Sequence, residues 1–126
     1  MLVIDKMSRK PIYEQIVEGI EREIVTGLIA EKEQLPSIRE LSAILGTNPN
    51  TIQKAFLDLD RAGVIVSTPG RGCFVAEGAK EKIRARLASK IQQIGEMASE
   101  LANAGIDMKS VLAAVKNAYD NCGTKK

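Results

Sequence analysis

The chain has 126 residues, with 18 Lys and Arg against 16 Asp and Glu for a formal net charge of +2, and it is 44% hydrophobic but only 3% aromatic. That balance describes an ordinary globular domain with an appendage and a core of Ile, Leu, Val and Ala. The absence of His excludes imidazole catalysis and His-ligated metal sites, and Cys73 and Cys122 form no CxxC pair.

The apolar opening Met1-Leu2-Val3-Ile4 stops at Asp5, short of the ~7–15 apolar residues of a signal peptide. No later run approaches the ~18 that a membrane helix needs. A cytoplasmic chain with no membrane partner, no cofactor and no metal is expected, and no acid–base constellation points to an enzyme.

The first periodic segment starts at Pro11, which suits a first helical position. Ile12, Ile16, Ile20 and Ile24 recur every four residues, and Gly27 is the expected stop. Leu28 to Gln34 reads as an irregular connector. Ser37 and Glu40 then form a capping box for a short helix whose apolar face is Leu41, Ile44 and Leu45, with Gly46 at its end. Asn48 and Pro49 open a third helix running to Ala62. One face of it gathers Ile52, Ala55, Phe56 and Leu59, and Asn50, Gln53, Lys54, Leu57 and Arg61 point the other way. Two helices so closely spaced are a helix-turn-helix. Val64–Ser67 and Cys73–Ala76 read as strands joined by a loop at 68–72 with two glycines. The predicted fold is mainly α with a small β-hairpin, a winged helix-turn-helix over residues 1–78.

Gly78 marks the expected boundary with a tail at 79–126. A long helix from Ala79 to Ala104 carries Leu87, Ile91, Ile94, Ala98 and Leu101 at alternating four-three spacing. After Gly105 and a capping Asp107, Val111, Leu112 and Val115 form another apolar face, and the stretch from Asn121 to Lys126 reads as frayed. A lone helical pair buries little, so these residues predict a dimerisation tail and a homodimer. Residues 1–78 carry nine basic and eleven acidic side chains, so any nucleic-acid reading rests on local placement of charge rather than bulk basicity.

Leu35-Pro36-Ser37-Ile38-Arg39-Glu40-Leu41-Ser42, Leu45-Gly46-Thr47-Asn48-Pro49-Asn50-Thr51-Ile52, Gly63-Val64-Ile65 and Gly70-Arg71-Gly72-Cys73-Phe74-Val75 resemble the GntR family of bacterial transcription regulators. Pro11-Ile12-Tyr13-Glu14-Gln15-Ile16 matches that family's usual opening helix. The short tail and Asn48-Pro49-Asn50-Thr51 look like the YtrA-type subfamily. The chain departs from the family at Glu31-Lys32, where Pro-Gly is common, and at Pro49 and Gln53, where an early arginine is common.

The resemblance implies a dimeric, operator-binding winged helix that regulates transcription, a repressor of a transporter-type operon. Residues 48–62 would enter the major groove and the wing 68–72 the minor groove. Asn50 and Gln53 have the paired donor and acceptor that suit adenine, and Lys54 reaches guanine or a phosphate. Asn48 serves first as a cap, and Thr51 meets the backbone. The resemblance adds Ser37 and Arg39 as phosphate or base contacts, and puts Gly70 and Arg71 at the wing tip. The partner expected is double-stranded, palindromic operator DNA. The rival reading is a winged helix used for protein contact, favoured by the outward Leu57 and the net charge of −2 over residues 1–78. The tail is too small to enclose an effector pocket of about 300–1,000 Å³ within one subunit, which leaves the effector unknown and a site between two tails open.

Overall fold

The computed structural model describes residues 2–122. Six helices and one hairpin follow in order: α1 (Ile12–Val25), α2 (Ile38–Leu45), α3 (Pro49–Arg61), β1 (Ile65–Thr68), β2 (Gly72–Val75), α4 (Ala79–Ala88), α5 (Lys90–Asn103) and α6 (Met108–Asn121). Among the described residues no helix is long and apolar enough to cross a membrane.

The four-residue isoleucine stripe turns α1 onto α3, and Ile16, Ile20 and Ile24 meet Ile52, Ala55, Phe56 and Leu59 in one core. Ile16, Ile52, Ala55 and Leu59 are 0% exposed. Burying an aliphatic side chain of this size contributes roughly 1.5–3 kcal/mol, so this seam holds the unit together. Pro11 is not the first helical residue as expected. Its ψ of 147° leaves it just outside α1 as the N-cap.

The capping box at α2 is present: Glu40 donates its amide to Ser37 Oγ at 3.0 Å, and Ser37 donates its own to Glu40 Oε1 at 2.8 Å. Gly46 ends α2 in the left-handed region at φ 63°, a turn that a side chain would strain. The hairpin is antiparallel with Thr68 opposite Gly72, so the strands lie one residue from the expected limits and the loop is Pro69–Arg71.

The connector between α1 and α2 is not irregular throughout. Lys32 donates to the Val75 carbonyl at 2.8 Å, Val75 to Glu33 at 2.9 Å and Leu35 to Cys73 at 2.8 Å. Gln34 bridges antiparallel to Phe74, so this stretch lies along β2 as a third extended segment. Pairing through backbone atoms leaves no periodicity in the sequence to reveal it.

The helix expected over 79–104 is divided at Ser89, whose backbone stays right-handed at φ −64° and ψ −18°. The chain separates into two compact units between Arg86 and Leu87. That is later than the expected boundary after Gly78, because Ala79 and Ile83 are buried in the first unit's core. The buried Glu21 of α1 also accepts from Arg86 Nη2 at 2.6 Å, tying the last residue of the first unit to its core helix. In the second unit neither α5 nor α6 buries a residue. The part of the expected frayed end beyond Cys122 lies outside the described residues.

Candidate nucleic-acid interface

The start of α3 is assembled from its own first residues. Asn48 Oδ1 accepts the Asn50 amide at 2.8 Å, and Pro49 needs no partner because it has no N–H. With Ile52, Ala55, Phe56 and Leu59 turned into the core, the helix presents Asn50, Gln53, Lys54, Leu57 and Arg61 to solvent. Thr51 is half-buried at the flank. The carboxamides of Asn50 and Gln53 thus sit one turn apart on an exposed face, each offering a donor and an acceptor.

Lys54 is more constrained than a free surface lysine. Its Nζ stands 4.0 Å from the centroid of the Tyr13 ring in the first turn of α1. Such a cation–π contact contributes about 0.5–1 kcal/mol at an exposed site. It holds the ammonium over the first turn of α1.

Ser37 and Arg39 lie apart from α3, at the start of α2. Ser37 Oγ already accepts the Glu40 amide, but its hydroxyl hydrogen remains available to donate outward. Arg39 is exposed. These two residues border an open cavity of about 1500 Å³ together with Gln34, Gly72 and Cys73, so the start of α2 and the base of the wing share one edge.

The wing itself is held by a residue that sequence reasoning missed. Gln34 Nε2 donates to the Arg71 carbonyl at 2.8 Å, and Arg71 donates its amide to Thr68 at 2.9 Å. Gly72 has φ 110°, and a Cβ there would meet Gln34 Nε2 at 2.7 Å, so glycine is needed both for the turn and for the clamp. Gly70 and Arg71 are exposed at the tip, with the guanidinium on a backbone that three residues fix. The only signal that pointed to Gln34 was its place before the Leu35-Pro36 motif, which carries no hint of a wing contact. Cys73 is half-buried, its Sγ 3.3 Å from Ser67 Oγ across the hairpin.

The expected dimerisation residues all fall in the second unit. Leu87, Ile91, Ile94, Leu101, Leu112 and Val115 are exposed, and Ala98 and Val111 are half-buried. Met97, Ile106, Met108 and Tyr119 add further exposed apolar surface.

Residues 12–75 match the family described as bacterial regulatory proteins, gntR family. Over its whole length the chain is 33% identical to the HTH-type transcriptional repressor YtrA of Bacillus subtilis (strain 168), covering 98% of that protein. Among solved structures it resembles a GntR family transcriptional regulator from Listeria monocytogenes, with a TM-score of 0.72 at 34% identity over 90% of this chain and 98% of that one. It also resembles the AraR DNA-binding domain in complex with operator ORE1, with a TM-score of 0.53 at 33% identity over 60% of this chain and 93% of that one.

Proposed function

This chain belongs to the gntR family of bacterial regulatory proteins and is a transcriptional regulator with a winged-helix DNA-binding domain, and we propose that it is a homodimeric repressor that reads a two-fold symmetric operator. The observation that carries the proposal is the outward face of α3, where Asn50 and Gln53 stand exposed opposite a fully buried stripe. In this reading α3 enters the major groove, with Asn50 and Gln53 on base edges and Lys54 and Thr51 on the backbone. Ser37 and Arg39 hold phosphate at the start of α2, where the dipole favours an anion. Gly70 and Arg71 enter the minor groove. The operator complex of the similar AraR domain supports operator binding, and the repressor name of the similar YtrA supports the sign of regulation. The subfamily resemblance points to a transporter-type operon as the target.

The tail supports the dimer. Leu87, Ile91, Ile94, Ala98, Leu101, Val111, Leu112 and Val115 make an apolar surface that a second copy covers, and a two-fold protein matches a palindrome.

The test is fluorescence anisotropy on the DNA upstream of the chain's own gene, with a shuffled duplex and a salt series alongside. Replacing Asn50 and Gln53 together by Ala should remove operator discrimination, each bidentate base contact being worth about 1–3 kcal/mol. Weak, salt-sensitive binding to both duplexes should remain. An equal fall on operator and shuffled DNA shows that these residues do not read bases. The outward Leu57, 48% exposed, favours a second reading, protein contact. In that case the shuffled and native duplexes behave alike and complex formation barely responds to salt.

A further inference from the structure

The segment ahead of α1 is folded against the DNA-binding unit. Asp5 donates its amide to Gln15 Oε1 at 2.8 Å, and Gln15 Nε2 donates to the carbonyls of Asp5 and Lys10, both at 2.9 Å. Within the loop, Ser8 donates to the Asp5 carbonyl at 3.2 Å and Met7 to the Asp5 carboxylate at 3.0 Å. One α1 side chain thus closes residues 5–10 into a compact arm. Of its three basic residues, Lys10 is paired with Glu18 at 2.7 Å. Lys6 Nζ reaches across to the turn of the helix-turn-helix and donates to the Gly46 carbonyl at 2.9 Å. Arg9 is exposed between them.

The position of Lys6 matters because the start of α3 has no amide to offer an anion. Helix N-termini bind phosphate through unpaired N–H groups. Here Pro49 has none, Asn48 Oδ1 takes the Asn50 amide, and the Asn48 carbonyl takes those of Thr51 and Ile52 at 3.0 and 3.4 Å. An ammonium has three donors, and Gly46 uses one of them. Lys6 therefore holds a charged donor beside the turn where the helix itself supplies nothing. Lys54 on Tyr13, two residues past Pro11, places a second cation where α1 meets α3.

We propose that the arm at residues 5–10 is a third DNA-contacting element beside α3 and the wing, with Lys6 and Arg9 each meeting a backbone phosphate that flanks the half-site. This rests on the DNA-binding reading above. It differs from a purely structural role, in which Lys6 only neutralises the carboxyl end of α2.

Salt dependence separates the two. Full-length wild type, Lys6→Gln, Arg9→Gln and the double variant are titrated against a random-sequence duplex and the DNA upstream of the chain's own gene, at several salt concentrations. Gln keeps a donor for the Gly46 carbonyl but no charge. Because a dimer carries each change twice, each single variant should flatten the slope of log affinity against log salt by about 1.8, and the double by about twice that. The loss should be equal on both duplexes, with Lys6→Arg restoring the wild-type slope. Unchanged slopes beside a salt-dependent wild type overturn the arm while leaving the regulator reading intact. A Lys6→Gln variant that melts earlier at an unchanged slope shows that Lys6 is only a clamp. A wild type with no salt-dependent binding overturns the DNA-binding reading and the arm together.

Discussion

Ile16, Ile52, Ala55 and Leu59 in the first unit have lost all contact with solvent, whereas Ile91, Met97, Leu112 and Tyr119 in the second keep between 58% and 75% of their surface exposed. Both sets lie on amphipathic helices with similar spacing. The difference is in what each face meets: α1 and α3 are packed on each other, and their stripes close into one core. In α5 and α6 no residue is buried, so the same kind of pattern there has no counterpart within the unit. Equal amphipathicity in sequence thus encodes a finished core in one region and an unfilled surface in the other. That unfilled surface is what the proposed dimer would cover.

The largest effect that tests this contrast is expected in the tail. Replacing Ile91 and Leu112 together by Glu should give a monomer by sedimentation, since both side chains are already exposed in the protomer and neither change disturbs a core. Operator affinity should fall on the order of 10²–10⁴-fold as two linked half-site contacts become one. A variant that remains dimeric shows that the apolar seam is not where the copies meet. In the first unit a comparable change acts on folding instead. Ile52→Ala should lower stability by about 2–5 kcal/mol, through lost burial and the cavity left behind. Denaturant unfolding in the monomeric background reads this as a unimolecular transition, and a loss well under 1 kcal/mol would mean that the α1–α3 seam does not hold the unit.

The contrast also marks what was legible in the sequence. Helices α1, α2 and α3 followed from the isoleucine spacing, the Ser37–Glu40 box and Asn48-Pro49, because these signals act within one or two turns. The outward set Asn50, Gln53, Lys54 and Leu57 followed from the same geometry. Long-range backbone pairing was not legible: Lys32 to Leu35 align on β2 through hydrogen bonds that any residues could make. Nor was the reach of the core into α4, where only Ala79 and Ile83 are buried among charged neighbours, too sparse a stripe to stand out. The arm at residues 5–10 escaped for a related reason, since its closure depends on one amide, Gln15, that sequence pattern does not distinguish from other surface residues.

A smaller effect separates the wing from the core that carries it. Gln34→Ala removes the donor to the Arg71 carbonyl without touching a buried side chain. Loss of a net hydrogen bond lowers stability by about 0.5–1.5 kcal/mol at most, and through a less ordered wing it lowers DNA affinity by up to roughly two- to tenfold for each wing. If Gln34 acts by holding the wing, its effect should vanish once Arg71 is already Ala, a non-additivity that a double-mutant cycle measures directly. Additive losses would show that Gln34 affects binding by some route other than Arg71.

The smallest effect lies in the one place where the first unit's backbone is off its preferred course. Lys32 has φ 71°, the only non-glycine residue with positive φ among the described residues. It stands where relatives of this family commonly have glycine. Its ammonium does little to compensate, since Glu77 is 3.9 Å away and both side chains are mostly exposed. The conformation is kept because the Lys32 amide donates to Val75 and Glu31 Oε1 accepts the Gly78 amide, which fix the connector against β2 and the start of α4. A left-handed conformation costs a residue with a Cβ about 1–2 kcal/mol. Glycine relieves that strain but loses roughly 0.5–1 kcal/mol more conformational freedom on folding. The two terms oppose each other and strain is the larger, so Lys32→Gly should raise stability by a few tenths to about 1 kcal/mol. Thermal unfolding of the monomeric background reads the sign. A destabilised variant would mean that the Lys32 side chain, not its backbone, holds the connector in place.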